Sequence, residues 1–316
     1  MHAVGIDIGG TKIAGALVDK AGTILKELRV PSPIDDSNQM VEVISSVIDQ
    51  LTADENIVGV GVAAAGFLSV DREIMYHAPN IAAWRTEPLK SRIQSKTKYP
   101  VLLENDANAA GWAEFRFGAG KDIQSMIMLT IGTGVGGAII SEGRLLKGGF
   151  GIGGELGHVV SVPEGRVCGC GLKGCLETYA SGTALLLAAR ALAESGEPKG
   201  LRLNQLAAAE GKLSGEMVYL AIMEDDAGAN ELIVELGTHL GKAIGSLFVP
   251  VLDPEIAVIG GGVSAVGEKL MNPIRDAFEK SLPAKGYRPE LKVVKATFLN
   301  QAGLIGAADL ARQAFA

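Results

Sequence analysis

The sequence is poor in cysteine, with 3 among its 316 residues, and poor in aromatic side chains, at 5%. It also lacks any excess of basic charge: 29 Lys and Arg stand against 36 Asp and Glu, for a formal net charge of -7. Three thiols cannot all pair within one chain, and a small disulfide-stapled scaffold needs far more of them, so a reducing compartment is expected. The acidic balance argues against broad nucleic-acid binding, which needs a basic surface to neutralise phosphates. Small anions stay open to it, because backbone N–H groups bind them without net positive charge. The opening residues, Met1-His2-Ala3-Val4-Gly5-Ile6-Asp7, carry no basic leader, long apolar core or small-residue cleavage site, which predicts cytoplasmic residence. The longest late apolar stretch, residues 243–252, is interrupted by Pro250 and stopped by Asp253, short of the roughly 20 residues a bilayer needs. No membrane partner is expected. A chain near 300 residues buries roughly three quarters of its unfolded surface and usually divides into two domains.

Glycine, by contrast, is abundant, with 42 residues, and its placement is patterned. Apolar runs at 3–8, 12–18 and 23–30 read as a meander of three strands, with Gly9-Gly10-Thr11 in the first turn and Gly22 in the second. Asp35-Asp36-Ser37 then precedes Met40, Ile44, Val47, Ile48 and Leu51 at helical spacing, and a buried strand follows at 57–64. Residues 125–148 repeat the opening device, with Gly132-Thr133-Gly134 and Gly143 at the turns, and Gly260-Gly261-Gly262 follows a further strand at 256–259. Three glycine turns behind three apolar strands predict a duplicated α/β architecture with a cleft between the halves. Taken singly, each turn also suits a plain tight hairpin, since glycine takes positive φ without steric cost. Asp7 just before the first turn, with Thr11 and Lys12 just after it, combines a carboxylate suited to magnesium with phosphate donors.

His158, Cys168, Cys170 and Cys175 gather one imidazole and three thiols within a short glycine-rich stretch. Zinc prefers tetrahedral nitrogen and sulfur ligands, and four protein ligands close a site structurally. Ordinary buried or redox cysteines are the alternative, and a local disulfide would leave one thiol over. A second feature is the apolar strand Pro100-Val101-Leu102-Leu103 running into Glu104-Asn105-Asp106 and a small-residue helix. Carboxylates at a strand end beside a helix N-terminus lie where α/β folds open their ligand crevice, although Asn105 or Asp106 also suits a plain helix cap.

Together, Asp7-Ile8-Gly9-Gly10-Thr11-Lys12, residues 129–137, Glu155-Leu156-Gly157-His158 and residues 168–177 resemble the ROK group of bacterial sugar kinases and repressors. That group lies within the actin, hexokinase and Hsp70 superfamily. The resemblance runs from residue 3 to the closing helix near Ala314 and is nearest to actinobacterial glucokinases. It implies a two-domain, actin-like (ribonuclease H-like) α/β ATPase fold with duplicated mixed-sheet domains. It further implies that Asp106 is the catalytic base and that Gly66, Asn80, Asn105, Glu155, His158 and Glu177 bind the hexose. Gly9, Gly10, Thr11, Lys12, Gly132, Thr133 and Gly134 would meet the phosphates of ATP, Gly261 and Gly262 the adenosine, and Asp7 a magnesium ion through water. His158, Cys168, Cys170 and Cys175 would hold a structural zinc ion, one nitrogen of His158 facing the metal and the other the sugar.

The expected activity is transfer of the γ-phosphate of ATP to the 6-hydroxyl of glucose. An alcohol is a poor nucleophile at neutral pH, so a carboxylate taking its proton suits the chemistry, while positioning and charge neutralisation supply the rest. Mannose, fructose, N-acetylglucosamine and N-acetylmannosamine kinases share these motifs, and some relatives use polyphosphate, which would favour a basic groove. A sugar-responsive repressor would carry a DNA-binding segment ahead of a body that here starts at residue 3, and an actin-like filament protein would not need the sugar-site set. The expected division is a smaller domain of residues 1–115 with 300–316, and a larger one of 116–299. Closure on sugar and a homodimer or homotetramer are implied by the resemblance.

Overall fold

In the computed structural model, which describes residues 1–316, the glycine-punctuated apolar runs become two five-stranded sheets. In the first, β1 (His2–Ile8), β2 (Lys12–Val18) and β3 (Ile24–Pro31) form an antiparallel meander. β4 (Ile57–Ala64) joins β1 in parallel. Three short strands, β5 (Phe67–Leu68), β6 (Met75–His77) and β7 (Arg85–Glu87), then pair into a small antiparallel sheet of their own, before β8 (Val101–Asn105) returns parallel to β4. The order is β3-β2-β1-β4-β8.

β1 and β4 are buried along almost their whole length because both faces of the sheet are covered. On one face lie α1 (Ser37–Thr52) and α2 (Leu89–Gln94), around a core that includes Ile6, Ile44, Ile48, Val62 and the fully buried Trp84. α1 starts where it does because the Asp36 carboxylate accepts from the N–H groups of Asn38 (2.8 Å) and Gln39 (3.0 Å), a cap worth about 1 kcal/mol. On the other face α3 (Asp106–Phe117) and α11 (Ala302–Phe315) pack through small residues, Ala63, Ala109 and Ala307 among them. The contact is backbone on backbone: a Cβ at Gly61 would fall 1.8 Å from the carbonyl oxygen of Ala307, so only glycine lets α11 lie this close. The buried Asp309 of α11 accepts from Trp112 Nε1 at 2.9 Å and pairs with Arg312 and Arg116.

The second sheet repeats the device. β9 (Met126–Ile131), β10 (Val135–Ser141) and β11 (Arg144–Leu145) are followed much later by β12 (Ile256–Gly260) and β13 (Lys292–Lys295), in the order β11-β10-β9-β12-β13. Between them run α4 (Glu177–Ala180), α5 (Gly182–Glu194), α6 (Leu201–Glu210), α7 (Gly215–Met223), α8 (Ala227–Ala243) and α9 (Val249–Leu252), and α10 (Glu268–Ser281) follows β12. α8 passes through a π-helical turn, Ile244–Phe248, into α9, so residues 227–252 are one helical run. The apolar stretch expected at 243–252 is therefore only its end, and Pro250 is accommodated directly after the π-helical turn, where the regular i→i−4 ladder is already interrupted. By length and composition this run is apolar enough to cross a membrane, but 56% of its most apolar window is buried inside the protein. α8 packs along α10, with Gly237 and Gly241 against the α10 backbone.

The chain divides into two compact units: Met1–Ile127 with Ala138–Gly154 and Ala296–Ala316, and Met128–Gly137 with Glu155–Lys295. Mixed α/β sheets in two units are what the actin-like fold requires.

Candidate active site

In the first unit the strands β1, β4 and β8 end together. Their register sets Asp7 level with Ala63 and Ala63 level with Glu104, so two carboxylates stand on the strands either side of β4 at the C-terminal edge of the sheet. Open α/β sheets place ligands at that edge. β1 turns sharply into β2, Gly9 N donating to Lys12 O at 3.0 Å, and Ser32 Oγ ties the turn down through Gly9 O at 2.7 Å. Gly10 lies against Asn80, whose Cβ would be 2.9 Å from a Cβ at Gly10, while Thr11 and Lys12 are exposed. The structure thus joins the first glycine turn to one predicted sugar residue.

Asn105 both caps α3 and reaches across to a neighbouring segment. Its Oδ1 accepts from Asn108 N at 3.1 Å, and its Nδ2 donates to Gly66 O at 3.2 Å. The capping alternative raised by the sequence is realised by Asn105, which leaves Asp106 as the first helical residue. Asp7 and Asp106 keep part of their surface open yet sit deep among protein atoms. Burial raises the pKa of Asp106 above the ordinary carboxylate range. Asp7 is pushed up to about 7, first by burial and then by the charge of Asp106, with Lys12 opposing. Asp7, a desolvated carboxylate whose proton affinity the charge of Asp106 raises further, is an oxygen donor of the kind a hard divalent cation takes.

Sequence reasoning passed over Glu104, which is fully buried. Its Oε1 accepts from Asn105 N at 3.0 Å and Asn108 Nδ2 at 3.1 Å. Arg72 Nη2 lies 2.8 Å from Oε1 and Lys147 Nζ 3.1 Å from Oε2, contacts of charge rather than aligned hydrogen bonds. Arg72 and Lys147 stand far from Glu104 in sequence, in stretches without periodicity, so no local signal marked them.

In the second unit the β9–β10 turn closes through Gly132 N to Gly134 O at 3.0 Å and is fastened by Gly182 N to Gly132 O at 2.7 Å, with Thr133 exposed at its tip. Glu177, at the start of α4, stands behind this turn. Its Oε2 accepts from Val135 N at 3.3 Å, and a Cβ at Gly134 would lie 2.3 Å from that oxygen. Its Oε1 is 3.4 Å from Cys168 Sγ and 3.9 Å from His158 Nδ1. Gly261, at φ +82°, and Gly262 follow β12, and Gly261 backs onto Ile131 of β9. Glu155 is half-buried just ahead of a 3-10 turn, Leu156–His158.

The ligand atoms of His158, Cys168, Cys170 and Cys175 all lie within 4.8 Å of one another. All three cysteines are free thiols. Cys170 and Cys175 sulfurs are 3.7 Å apart, and Cys168 Sγ is 3.6 Å from His158 Nδ1. A tetrahedral zinc ion, with Zn–S near 2.3 Å and Zn–N near 2.0 Å, sets such pairs about 3.8 and 3.6 Å apart, so the cluster fits a metal of that kind. Burial pushes the Cys168 thiol up to about 12 and raises Cys175, a cost that a bound cation offsets. The loop is clamped by Tyr179, whose hydroxyl accepts from Arg166 N at 2.7 Å, whose ring carries the Arg166 guanidinium 4.6 Å from its centroid, and which stacks on His239 of α8.

Known proteins are similar to this chain along its whole length. A glucokinase of Streptomyces coelicolor is 40% identical over 313 residues, 98% of this chain and 97% of its own. An N-acetylmannosamine kinase of Citrobacter koseri is 34% identical over 318 residues, 99% of each. Among solved structures, a ROK family glucokinase of Streptomyces griseus in complex with glucose and AMPPNP superposes with a TM-score of 0.89 at 39% identity, over 99% of this chain and 100% of that one. The sequence model of the ROK family matches residues 3–314, the span that carries both glycine turns, the Asn105-Asp106 junction and the Cys/His cluster, and the chain belongs to that family.

Proposed function

We propose that the protein is a glucokinase, transferring the γ-phosphate of ATP to the 6-hydroxyl of glucose with Asp106 as general base. The observation that carries the reading is the desolvated Asp7–Asp106 pair at the end of β1 and the start of α3, in a chain similar throughout to a glucokinase whose complex contains glucose and a nucleotide. The raised pKa of Asp106 makes it a better proton acceptor than a solvated aspartate. Asn105 holds the Gly66 carbonyl and offers amide chemistry to a sugar hydroxyl. Asn80, Glu155, His158 and Glu177 would supply further polar contacts, since amides and carboxylates match a polyol that both donates and accepts.

On the donor side, backbone N–H groups of the turns at Gly9-Gly10-Thr11 and Gly132-Thr133-Gly134, with the Lys12 charge, would hold the β- and γ-phosphates. Gly261 and Gly262 would let the backbone approach adenosine. A magnesium ion would be held at Asp7 and would supply charge neutralisation on the phosphates. Zinc at His158, Cys168, Cys170 and Cys175 would be structural and would fix the orientation of His158. Cytoplasmic residence, expected from the cysteine content, and a homodimer or homotetramer, implied by family resemblance, belong to the same reading.

Steady-state kinetics over glucose, mannose, fructose, N-acetylglucosamine and N-acetylmannosamine, each with ATP and with polyphosphate, test the assignment. Glucose with ATP should give the highest kcat/KM. A preference for N-acetylmannosamine would move the chain to the class of its second relative.

A further inference from the structure

We infer that Glu104 is a positioning residue for the acceptor side of the site, holding three separate segments of the first unit in one arrangement. The inference rests on the reading of Asn105 and Asp106 given under Proposed function. The carboxylate takes the N–H of Asn105 and the side-chain amide of Asn108, which fixes the backbone entering α3 and hence the residue that opens it, Asp106. It also draws in Arg72, from the β5–β6 turn just beyond Gly66, and Lys147, from the loop that follows β11.

The two cations are themselves tied to the backbone they belong to. Arg72 is nearly fully buried, stands at φ +60°, and donates through Nη1 to Ser69 O at 3.2 Å and Gly151 O at 2.6 Å. Residues 147 and 153 are closed into a loop by Gly153 N to Lys147 O at 2.9 Å. One carboxylate thus sets Asn105-Asp106 against the Gly66 segment and against the 147–153 loop, which leads in sequence to Glu155. Every segment it holds carries or adjoins a proposed sugar contact. The phosphate turn at Gly9-Gly10-Thr11 makes no hydrogen bond or ion pair to Glu104, Arg72 or Lys147.

A positively charged guanidinium held at φ +60° and a half-exposed lysine, both drawn to a fully buried carboxylate, are costly for stability alone, because hydrophobic residues fill such space at less cost. What such a network secures is a fixed geometry, and a misplacement near 1 Å at a reacting group lowers rate by about a hundredfold. Glu104 therefore acts on the sugar and on the base that serves it, and not on the nucleotide.

The test uses Glu104→Gln, which keeps an acceptor for Asn105 N and loses the charge, Lys147→Met, and the double variant. Lys147 keeps 36% of its side chain exposed, so its removal leaves the fold in place even where Glu104→Gln impairs it. Glu104→Gln should lower kcat/KM for glucose by about 10- to 100-fold and Lys147→Met by about 3- to 10-fold, with KM for ATP within about twofold of the parent. The double variant should be no worse than Glu104→Gln, since both changes break one network. Glucose kinetics unchanged in both single variants overturn the inference, as do equal rises in the KM of glucose and of ATP. Calorimetric glucose binding without nucleotide, measured on the same variants, reads the sugar side independently of turnover. An inactive parent that binds glucose normally would defeat the functional reading, whereas a parent active on glucose with indifferent Glu104 variants would defeat only the positioning role.

Discussion

Asp7 and Asp106, one at the end of β1 and the other opening α3, lie close enough that the charge of Asp106 raises the pKa of Asp7. For catalysis the pair must lose protons. The rate at low glucose should therefore fall as pH drops through a limb well above the ordinary aspartate value of about 4, and the limb belongs to the pair rather than to either residue. A pH profile of kcat/KM for glucose between pH 5 and 9 checks this. A profile with no acid limb in that range would remove the coupled pair from the rate-determining chemistry.

The same pair predicts how stability depends on pH. Asp7 is raised from 3.8 to about 7, so its contribution is present in full below about 4, declines as pH rises, and is lost above about 7. The whole loss is at most about 4 kcal/mol. Without divalent cations, Asp7→Asn should match the parent in stability near pH 4 and exceed it near pH 8, by denaturant unfolding at the two pH values. Identical pH dependence in parent and variant would contradict the buried, proton-binding Asp7.

Metal removal tests the Cys/His cluster. Cys170→Ser should abolish stoichiometric zinc by metal analysis and weaken glucose binding, because His158 then loses the partner that orients its ring. Loss of zinc with unaltered sugar affinity and unaltered stability would show that metal and sugar site are not coupled through His158.

Glu177 stands directly behind the second glycine turn, and Gly134→Ala would drive a methyl group into its carboxylate, 2.3 Å away. Either the turn or the Glu177 side chain must shift, and Glu177 is itself a proposed sugar contact, so the KM for ATP should rise by about tenfold and glucose binding should weaken with it. Equal affinity for ATP in the variant would argue that this turn does not hold the nucleotide.

The strands and glycine turns were legible because each is a short apolar run with a local stop, and the cap of α1 was legible as one of Asp35, Asp36 and Ser37, of which Asp36 takes the role. The Cys/His cluster was equally legible, since its ligands sit within one stretch of sequence. β5, β6 and β7 escaped because strands of two or three residues carry no periodicity. Glu104 escaped for a different reason. It was visible in the strand before Asn105, but its partners Arg72 and Lys147 come from turns whose placement only the folded chain reveals. Asn105 shows the limit from the other side, because capping and site chemistry ask for the same residue type, and it does the first while facing Gly66.

The most direct measurement is the rate of glucose 6-phosphate formation from ATP and glucose by Asp106→Asn beside the parent, with glucose binding followed by calorimetry on both. The account predicts a parent active on glucose, a fall in turnover of about 100- to 10,000-fold in the variant, and glucose affinity within a few-fold of the parent. Turnover in Asp106→Asn close to that of the parent would contradict it.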